Sequence, residues 1–208
     1  MTINYPNGQS FHDTRSNGKK SARLTTANYA DRGMSLEAEI NQSNQFYREH
    51  QIAVVHKKPT PIQIVNVDYP KRSAAVIKEA YFKQASTTDY NGIFAGYYLD
   101  FDAKETTNLH SFPLANFHEH QIDHMESCYQ MGGICFALIR FVKRNEIYLL
   151  NGPDLFHFWE RQFHGGRKSI TQAEIANHGY LIRPQLNPLI PYLDAVQIII
   201  DKSKGDLE

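Results

Sequence analysis

From Leu99 to Lys104 the chain alternates apolar and charged side chains without a break, Leu-Asp-Phe-Asp-Ala-Lys. Strand side chains point to opposite faces with period two, so this stretch predicts a strand. Leu99, Phe101 and Ala103 then enter a core, and Asp100, Asp102 and Lys104 share the other, solvent-accessible face. Two acids and an amine converging on one face make a site geometry, and the rest of the chain must be built around it.

The flanking patterns set the class. Ser35 is positioned to cap a helix over Met34–Tyr47, in which Leu36, Ile40 and Tyr47 form one stripe. Ile52-Ala53-Val54-Val55 reads as a buried strand, and Lys58-Pro59-Thr60-Pro61 ends it because proline has no N–H for a ladder. Ile62–Val67 is extended, and a helical pattern runs from Ser73 to Gln84. Residues 58–85 are therefore expected to leave the main body as a basic, aromatic-bearing excursion. Thr88-Asp89-Tyr90-Asn91-Gly92 opens a hairpin whose second strand is Tyr97–Lys104. A helix over Leu114–Gln130 ends at Gly132-Gly133, a strand pair follows at Ile134–Val142 and Glu146–Leu150, and Thr171-Gln172-Ala173-Glu174 has the form of a capping box. An apolar helix closes the chain around Tyr192–Ile200. Strands interleaved with helices predict a mixed α/β fold.

The 208 residues, 41% of them hydrophobic, suit one core. The expected division is a flexible basic arm over 1–30, carrying Arg15, Lys19, Lys20 and Arg23, a single domain over 31–200, and a tail over 201–208. No stretch is apolar for the roughly 18 residues of a membrane span, so the expected location is the cytoplasm. Cys128 and Cys135 lack CxxC spacing and read as reduced thiols. His118-Glu119-His120-Gln121-Ile122 misses the zinc pattern HExxH, so His118, His120 and His124 read as helix-surface or DNA-facing residues. Trp159 reads as core.

Net charge is zero, with 22 basic and 22 acidic residues, and so does not point to a nucleic-acid partner. Between 57 and 83, however, Lys57, Lys58, Lys71, Arg72, Lys78 and Lys83 face only Asp68 and Glu79. Such an excess suits phosphate contact, though on this feature alone a solvated face is the better reading.

Metal-assisted phosphodiester hydrolysis needs hard oxygen ligands and a cation beside the reacting phosphate. Asp102 and Lys104 supply one of each, and Asp89 is placed to add a second carboxylate from the preceding hairpin strand. By itself that spacing is a weak signal and better suits a plain solvated strand.

Seven blocks distinguish the two. Arg32-Gly33-Met34-Ser35-Leu36-Glu37, His56-Lys57-Lys58-Pro59-Thr60-Pro61, Tyr69-Pro70-Lys71-Arg72-Ser73, Glu79-Ala80-Tyr81-Phe82, Ser86-Thr87-Thr88-Asp89-Tyr90-Asn91-Gly92, Ala103-Lys104-Glu105-Thr106 and Phe117-His118-Glu119-His120-Gln121 occur in this order. Together they resemble the RecU family of Holliday junction resolvases from about Arg32 to Ser169.

The resemblance implies a restriction-endonuclease-like core of the PD-(D/E)xK class, with a mixed central sheet flanked by helices and a protruding stalk at about 58–85. It also implies a homodimer that makes paired, metal-dependent incisions in four-way junction DNA during recombination, repair and chromosome segregation, leaving 5′-phosphate and 3′-hydroxyl ends. By matching position, Asp89, Asp102 and Gln121 become ligands of Mg²⁺ or Mn²⁺, with Thr87 an oxygen ligand or close neighbour, and Lys104 the transition-state stabiliser. Glu37 either completes the acidic cluster or serves as a first-turn helix carboxylate. Tyr81 and Phe82 become candidates for stacking on exposed bases, Phe82 alternatively packing the stalk helix. Lys57, Lys58, Lys71, Arg72, Arg167 and Lys168 become backbone contacts. Implied partners are a RecA-type recombinase and a RuvB-type branch-migration helicase, with nucleoid association in the cytoplasm.

The family usually has Glu two residues before the lysine, where this chain has Asp102. The arm is one methylene shorter, which bears on metal geometry and admits a second reading, a junction-binding, recombinase-modulating protein with weak or absent cleavage. Asp100 reads as structural.

Overall fold

The computed structural model describes residues 34–68, 70, 75–82 and 87–205. The expected arm over 1–30, Lys71, Arg72 and Lys83 lie outside the described residues. In chain order the elements are α1 Leu36–Glu49, β1 Ala53–Lys57, β2 Ile62–Asp68, β3 Val76–Phe82, β4 Tyr90–Phe94, β5 Tyr97–Thr106, β6 Ser111–Pro113, α2 Glu119–Gln130, β7 Ile134–Phe141, β8 Glu146–Asn151, α3 Gly152–Arg161, β9 Ser169–Thr171, α4 Gln172–His178, β10 Tyr180–Ile182 and α5 Tyr192–Gly205.

Six strands form the central sheet in the order β1-β4-β5-β7-β8-β10. All neighbours are antiparallel except β5 and β7, which run parallel. A parallel pair needs a crossover, supplied here by β6, a 3₁₀ turn at Leu114–Asn116 and α2. Helices cover both faces, giving the expected central mixed sheet flanked by helices.

Strand alternation divides the interior in two. Leu99, Phe101, Phe136, Leu138 and Leu149 pack with Leu36, Ile40 and Tyr47 of α1 and with Tyr192, Val196 and Ile200 of α5. Cys135, Ala137, Ile139 and Leu150 pack on the opposite side with Ile122 and Met125 of α2, Leu155 and Phe158 of α3 and Ile175 of α4. On the first side Tyr90, Phe101 and Phe136 stack across β4, β5 and β7 with centroids 4.8 and 4.6 Å apart. The Tyr90 hydroxyl bonds Asn41 Oδ1 at 3.2 Å, which ties β4 to α1. The start of β4, and so the backbone next to Asp89, is held by a fully buried ring.

Several local readings hold. The Ser35 hydroxyl caps α1 by accepting from the Ala38 amide at 3.3 Å, and Thr171 with Glu174 closes the capping box of α4. Cys128 and Cys135 are free thiols. Trp159 is partly buried against the second core. No described helix is long and apolar enough to cross a membrane.

Other readings are corrected. Residues 76–82 are strand, not helix, and pair antiparallel with β2 in a separate two-stranded ribbon. The extended β2 needs a ladder partner for its backbone groups, and a short helix standing off the core has no packing to sustain it. The helix expected over Leu114–Gln130 is interrupted at Phe117-His118, where the backbone is extended and His118 becomes the N-cap of α2. The tail expected from 201 is helical through Gly205, with Lys202 and Lys204 complementing the helix dipole at its C-terminal end.

Ala95 and Gly96, which link β4 to β5, have φ of 50° and 84°. A two-residue hairpin turn with both residues at positive φ suits Asn-Gly, because alanine carries a Cβ penalty there. Ala95→Asn is expected to stabilise the protein by about 0.5–1 kcal/mol, read as a rise of roughly 1–4 °C in the thermal midpoint. An unchanged or lower midpoint contradicts it.

Candidate active site at the head of β4 and the middle of β5

Asp102 lies in the middle of β5, on the face covered by α2, and is fully buried. Its β7 neighbour in register is Ala137, and that of Asp100 is Cys135. These small side chains leave room for carboxylates beneath a helix. The acid face of β5 is thus not the solvent-accessible face that alternation alone suggests: Asp100 and Asp102 are both at 0% exposure.

Asp89 immediately precedes β4, and both of its backbone groups are engaged. Its amide donates to Asp102 Oδ1 at 2.8 Å, and its carbonyl accepts from the Lys58 amide at 2.8 Å. The shorter Asp arm at 102 therefore reaches the neighbouring turn. The Asp89 carboxylate is 28% exposed and forms the open side of the site. Lys104 Nζ sits 3.2 Å from Asp102 Oδ2 and 3.7 Å from Asp89 Oδ2, with its ammonium 5.8 Å from the Phe117 ring centroid.

Gln121 stands at the third position of α2. Its Nε2 donates to Asp102 Oδ1 at 3.3 Å, while its Oε1 accepts from the His118 amide at 3.1 Å. Asp102 Oδ2 is buried and accepts no hydrogen bond, although the Lys104 ammonium is within ion-pair distance. Burial pushes the Asp102 carboxyl up to about 7, against the lowering effect of Lys104 and with Asp89 adding to the rise. A carboxylate so placed, next to a second one and short of partners, is suited to a cation.

Thr87, two residues before Asp89, is half-buried, its hydroxyl 3.4 Å from the Thr88 carbonyl. Glu37 and Lys57, expected as an acidic-cluster member and a phosphate contact, form an ion pair with each other on the surface. Lys58 is also engaged internally: its ammonium bonds Asp100 Oδ2 and Thr88 Oγ1, both at 2.9 Å. Lys78 pairs with Asp68 across the ribbon at 2.8 Å. Of the basic excess at 57–83, the three described lysines other than those outside the described residues are thus all ion-paired. Arg167 and Lys168 are exposed in the loop after Gly165-Gly166. Tyr81 is 61% and Phe82 84% exposed on β3, so Phe82 packs no stalk helix.

Sequence reading passed over Thr88, whose hydroxyl donates to Asp100 Oδ1, and placed His124 on the surface. His124 instead faces inward, with Nε2 3.3 Å from Asp100 Oδ2. One signal was available: His124 lies three residues after Gln121, on the same helical face.

Comparison with known proteins gives the chain a family. The model of the RecU family, described as Recombination protein U, matches residues 31–198. The Holliday junction resolvase RecU of Lactiplantibacillus plantarum is 59% identical over 205 residues, covering 99% of both chains. That of Limosilactobacillus reuteri is 60% identical over 200 residues, covering 96% of this chain and 98% of the relative. That of a Geobacillus species is 57% identical over 197 residues, covering 95% and 97%. A solved structure of Hjc, a Holliday junction resolvase of Archaeoglobus fulgidus, overlaps slightly, with a TM-score of 0.37 and 11% identity over 65% of this chain and 92% of that one. With 168 of 208 residues matched by the family model, counted from 31 to 198, the chain belongs to the RecU family.

Proposed function

We propose that this chain is a structure-specific endonuclease that resolves four-way DNA junctions, hydrolysing phosphodiesters at Asp89, Asp102 and Lys104. The observation that carries the reading is the buried Asp102 carboxylate, with an oxygen accepting no hydrogen bond, beside Asp89 and Lys104.

The donor set fits a hard divalent cation. Asp102 offers a carboxylate oxygen from β5 and Asp89 one from the residue before β4, with Thr87, two residues earlier in the same turn, as a candidate third oxygen donor. Bound there, Mg²⁺ or Mn²⁺ supplies Lewis acidity and lowers the pKa of water. Asp102 is the fixed floor of the site, held by the Asp89 amide and the Gln121 side chain. Gln121 Oε1 is occupied in capping α2, so this residue positions Asp102 and ligates only on releasing the cap. Lys104 directs positive charge at the phosphate oxygens, where negative charge grows as water adds and the 3′ oxygen leaves. The products are a 5′-phosphate and a 3′-hydroxyl.

The ribbon of β2 and β3 supports a dimeric, junction-binding form. A lone two-stranded ribbon is marginal in water, and this one exposes Ile62, Ile64, Val65, Val76, Ile77, Tyr81 and Phe82. A second copy covers the aliphatic residues, and Tyr81 and Phe82 remain as stacking surfaces for bases opened at the junction centre. Arg167 and Lys168 contact phosphates from the main body, joined by Lys71 and Arg72. Lys57 serves only on exchanging Glu37 for phosphate, and Lys58 is left out. A two-fold dimer presents two sites to opposing strands, as paired incision requires.

The test is incubation of the purified chain with a mobile four-way junction and Mg²⁺ or Mn²⁺. Paired nicks are expected from the native protein, and Asp89→Ala is expected to bind the junction with unchanged affinity without cutting it. Binding without paired nicks by the native protein in either metal overturns the resolvase reading in favour of a junction-binding role. Cleavage by Asp89→Ala overturns the site assignment.

A further inference from the structure

We propose that Asp100, His124 and Cys128 form a second metal site, separate from the Asp89 and Asp102 carboxylates, that takes a borderline-soft divalent cation of the zinc class. Their ligand atoms all lie within 4.8 Å of one another. His124 Nε2 is 3.3 Å from Asp100 Oδ2 and 3.6 Å from Cys128 Sγ. With zinc bond lengths of about 2.0–2.2 Å to nitrogen and oxygen and about 2.3 Å to sulfur, a tetrahedral angle sets N and O about 3.3 Å apart and N and S about 3.6 Å apart. The two separations from His124 are those of a tetrahedral ligand set, and Asp100 and Cys128 lie within 4.8 Å of each other, close enough to close on one ion.

The three residues come from two elements by construction. His124 and Cys128 are four apart on α2 and share one face, which packs over β5 and its Asp100. A thiol with an imidazole selects zinc-class ions over Mg²⁺, whereas the all-oxygen carboxylates at Asp89 and Asp102 have the opposite preference. The fourth position opens on a recess lined by Tyr98, Ser127 and Met131, which admits water as the remaining ligand.

Charge balance is consistent. The buried Asp100 is now neutralised by Lys58, and Tyr98 also donates to its Oδ2 at 2.9 Å. On binding, the Cys128 thiol gives up its proton to solvent, the dication is neutralised by that thiolate together with Asp100, and the Lys58 ammonium gives up its place at Asp100 Oδ2 while keeping its bond to Thr88 Oγ1. Because His124 is three residues from Gln121, the ion clamps onto β5 the helix that positions Asp102.

The site is independent of the nuclease reading and is tested with cobalt as a spectroscopic probe on the full-length protein. Co²⁺ is expected to give a thiolate-to-cobalt charge-transfer band that Zn²⁺ displaces. The band is expected to persist in Asp89→Ala, and Cys128→Ser and His124→Ala are each expected to weaken binding by at least about 100-fold, since losing a ligand exceeds the loss of an outer-shell partner. Zn²⁺ is also expected to raise the thermal midpoint of native and Asp89→Ala protein alike. Absence of the band from native protein at saturating cobalt overturns the proposal, as does a band unchanged in Cys128→Ser. A protein that fails to cut junctions yet shows the band separates the two sites.

Discussion

Asp102→Asn is expected to lower junction cleavage on the order of a thousandfold while leaving the metal-free protein at least as stable as the native one. The two effects have one cause. Asp102 is fully buried, and one of its oxygens accepts no hydrogen bond. Burying a carboxylate this way costs free energy that the Lys104 ammonium offsets only in part and that a bound divalent cation would recover. Asparagine keeps the oxygen that accepts from the Asp89 amide and removes a charge from a cluster in which Asp89 and Asp102 outnumber Lys104. In metal-free buffer the thermal midpoint is therefore expected to rise by about 2–4 °C, corresponding to roughly 1 kcal/mol for a chain of this size. Native protein recovers the difference when Mg²⁺ is added, and the variant does not. A midpoint that falls in metal-free buffer shows that the Asp102 charge is structural. Junction affinity measured without metal is expected to be unchanged, because Asp102 contributes nothing to the exposed surface.

Gly92→Ala is expected to have the largest effect on stability of any single methyl addition in the central sheet. A Cβ at this position lies 2.2 Å from the Val54 carbonyl oxygen and 2.6 Å from Val55 Cα, both backbone atoms of β1. Neither atom belongs to a flexible side chain, so β1 and β4 must separate. The expected cost is at least about 3 kcal/mol, a fall of roughly 6–12 °C in the midpoint. The damage reaches the site because Gly92 pairs with Val55, and the same ladder continues through Lys57 and Tyr90 to the Lys58–Asp89 backbone bond. Cleavage is expected to fall along with stability, the reverse of the separation expected for Asp102→Asn. A denaturation midpoint within 1 °C of native would mean that the strands are not in close approach at Gly92.

Much of this was local and therefore readable in the linear chain. Period-two alternation marked β5, the hydroxyls of Ser35 and Thr171 marked helix starts, and ordered blocks tied Asp89, Lys104 and Gln121 to one family, with Asp102 placed by its position two residues before the lysine. Those features depend on neighbours within a few residues, or on motifs that survive as text. The ribbon strand at Val76–Phe82 was misread because its helical spacing is a weak preference, and the deciding interaction is pairing with Ile62–Asp68.

The environment of the site was settled only by tertiary structure. Alternation assigned Asp100, Asp102 and Lys104 to one face, but whether that face meets water depends on α2, which crosses over it from the far side of a parallel connection. The burial of Asp102 follows from that crossing. So does the inward turn of His124 onto Asp100. The pairing of Lys58 with Asp100, forty-two residues apart, removed a lysine from the expected DNA contacts because a buried carboxylate must find a partner. The sequence by itself determined which residues are candidates for the proposed chemistry and that Asp102 and Lys104 share one face of a strand. Only the packing of a helix on that face decided that Asp100 and Asp102 stand in the interior, where low solvation strengthens each charge's interactions.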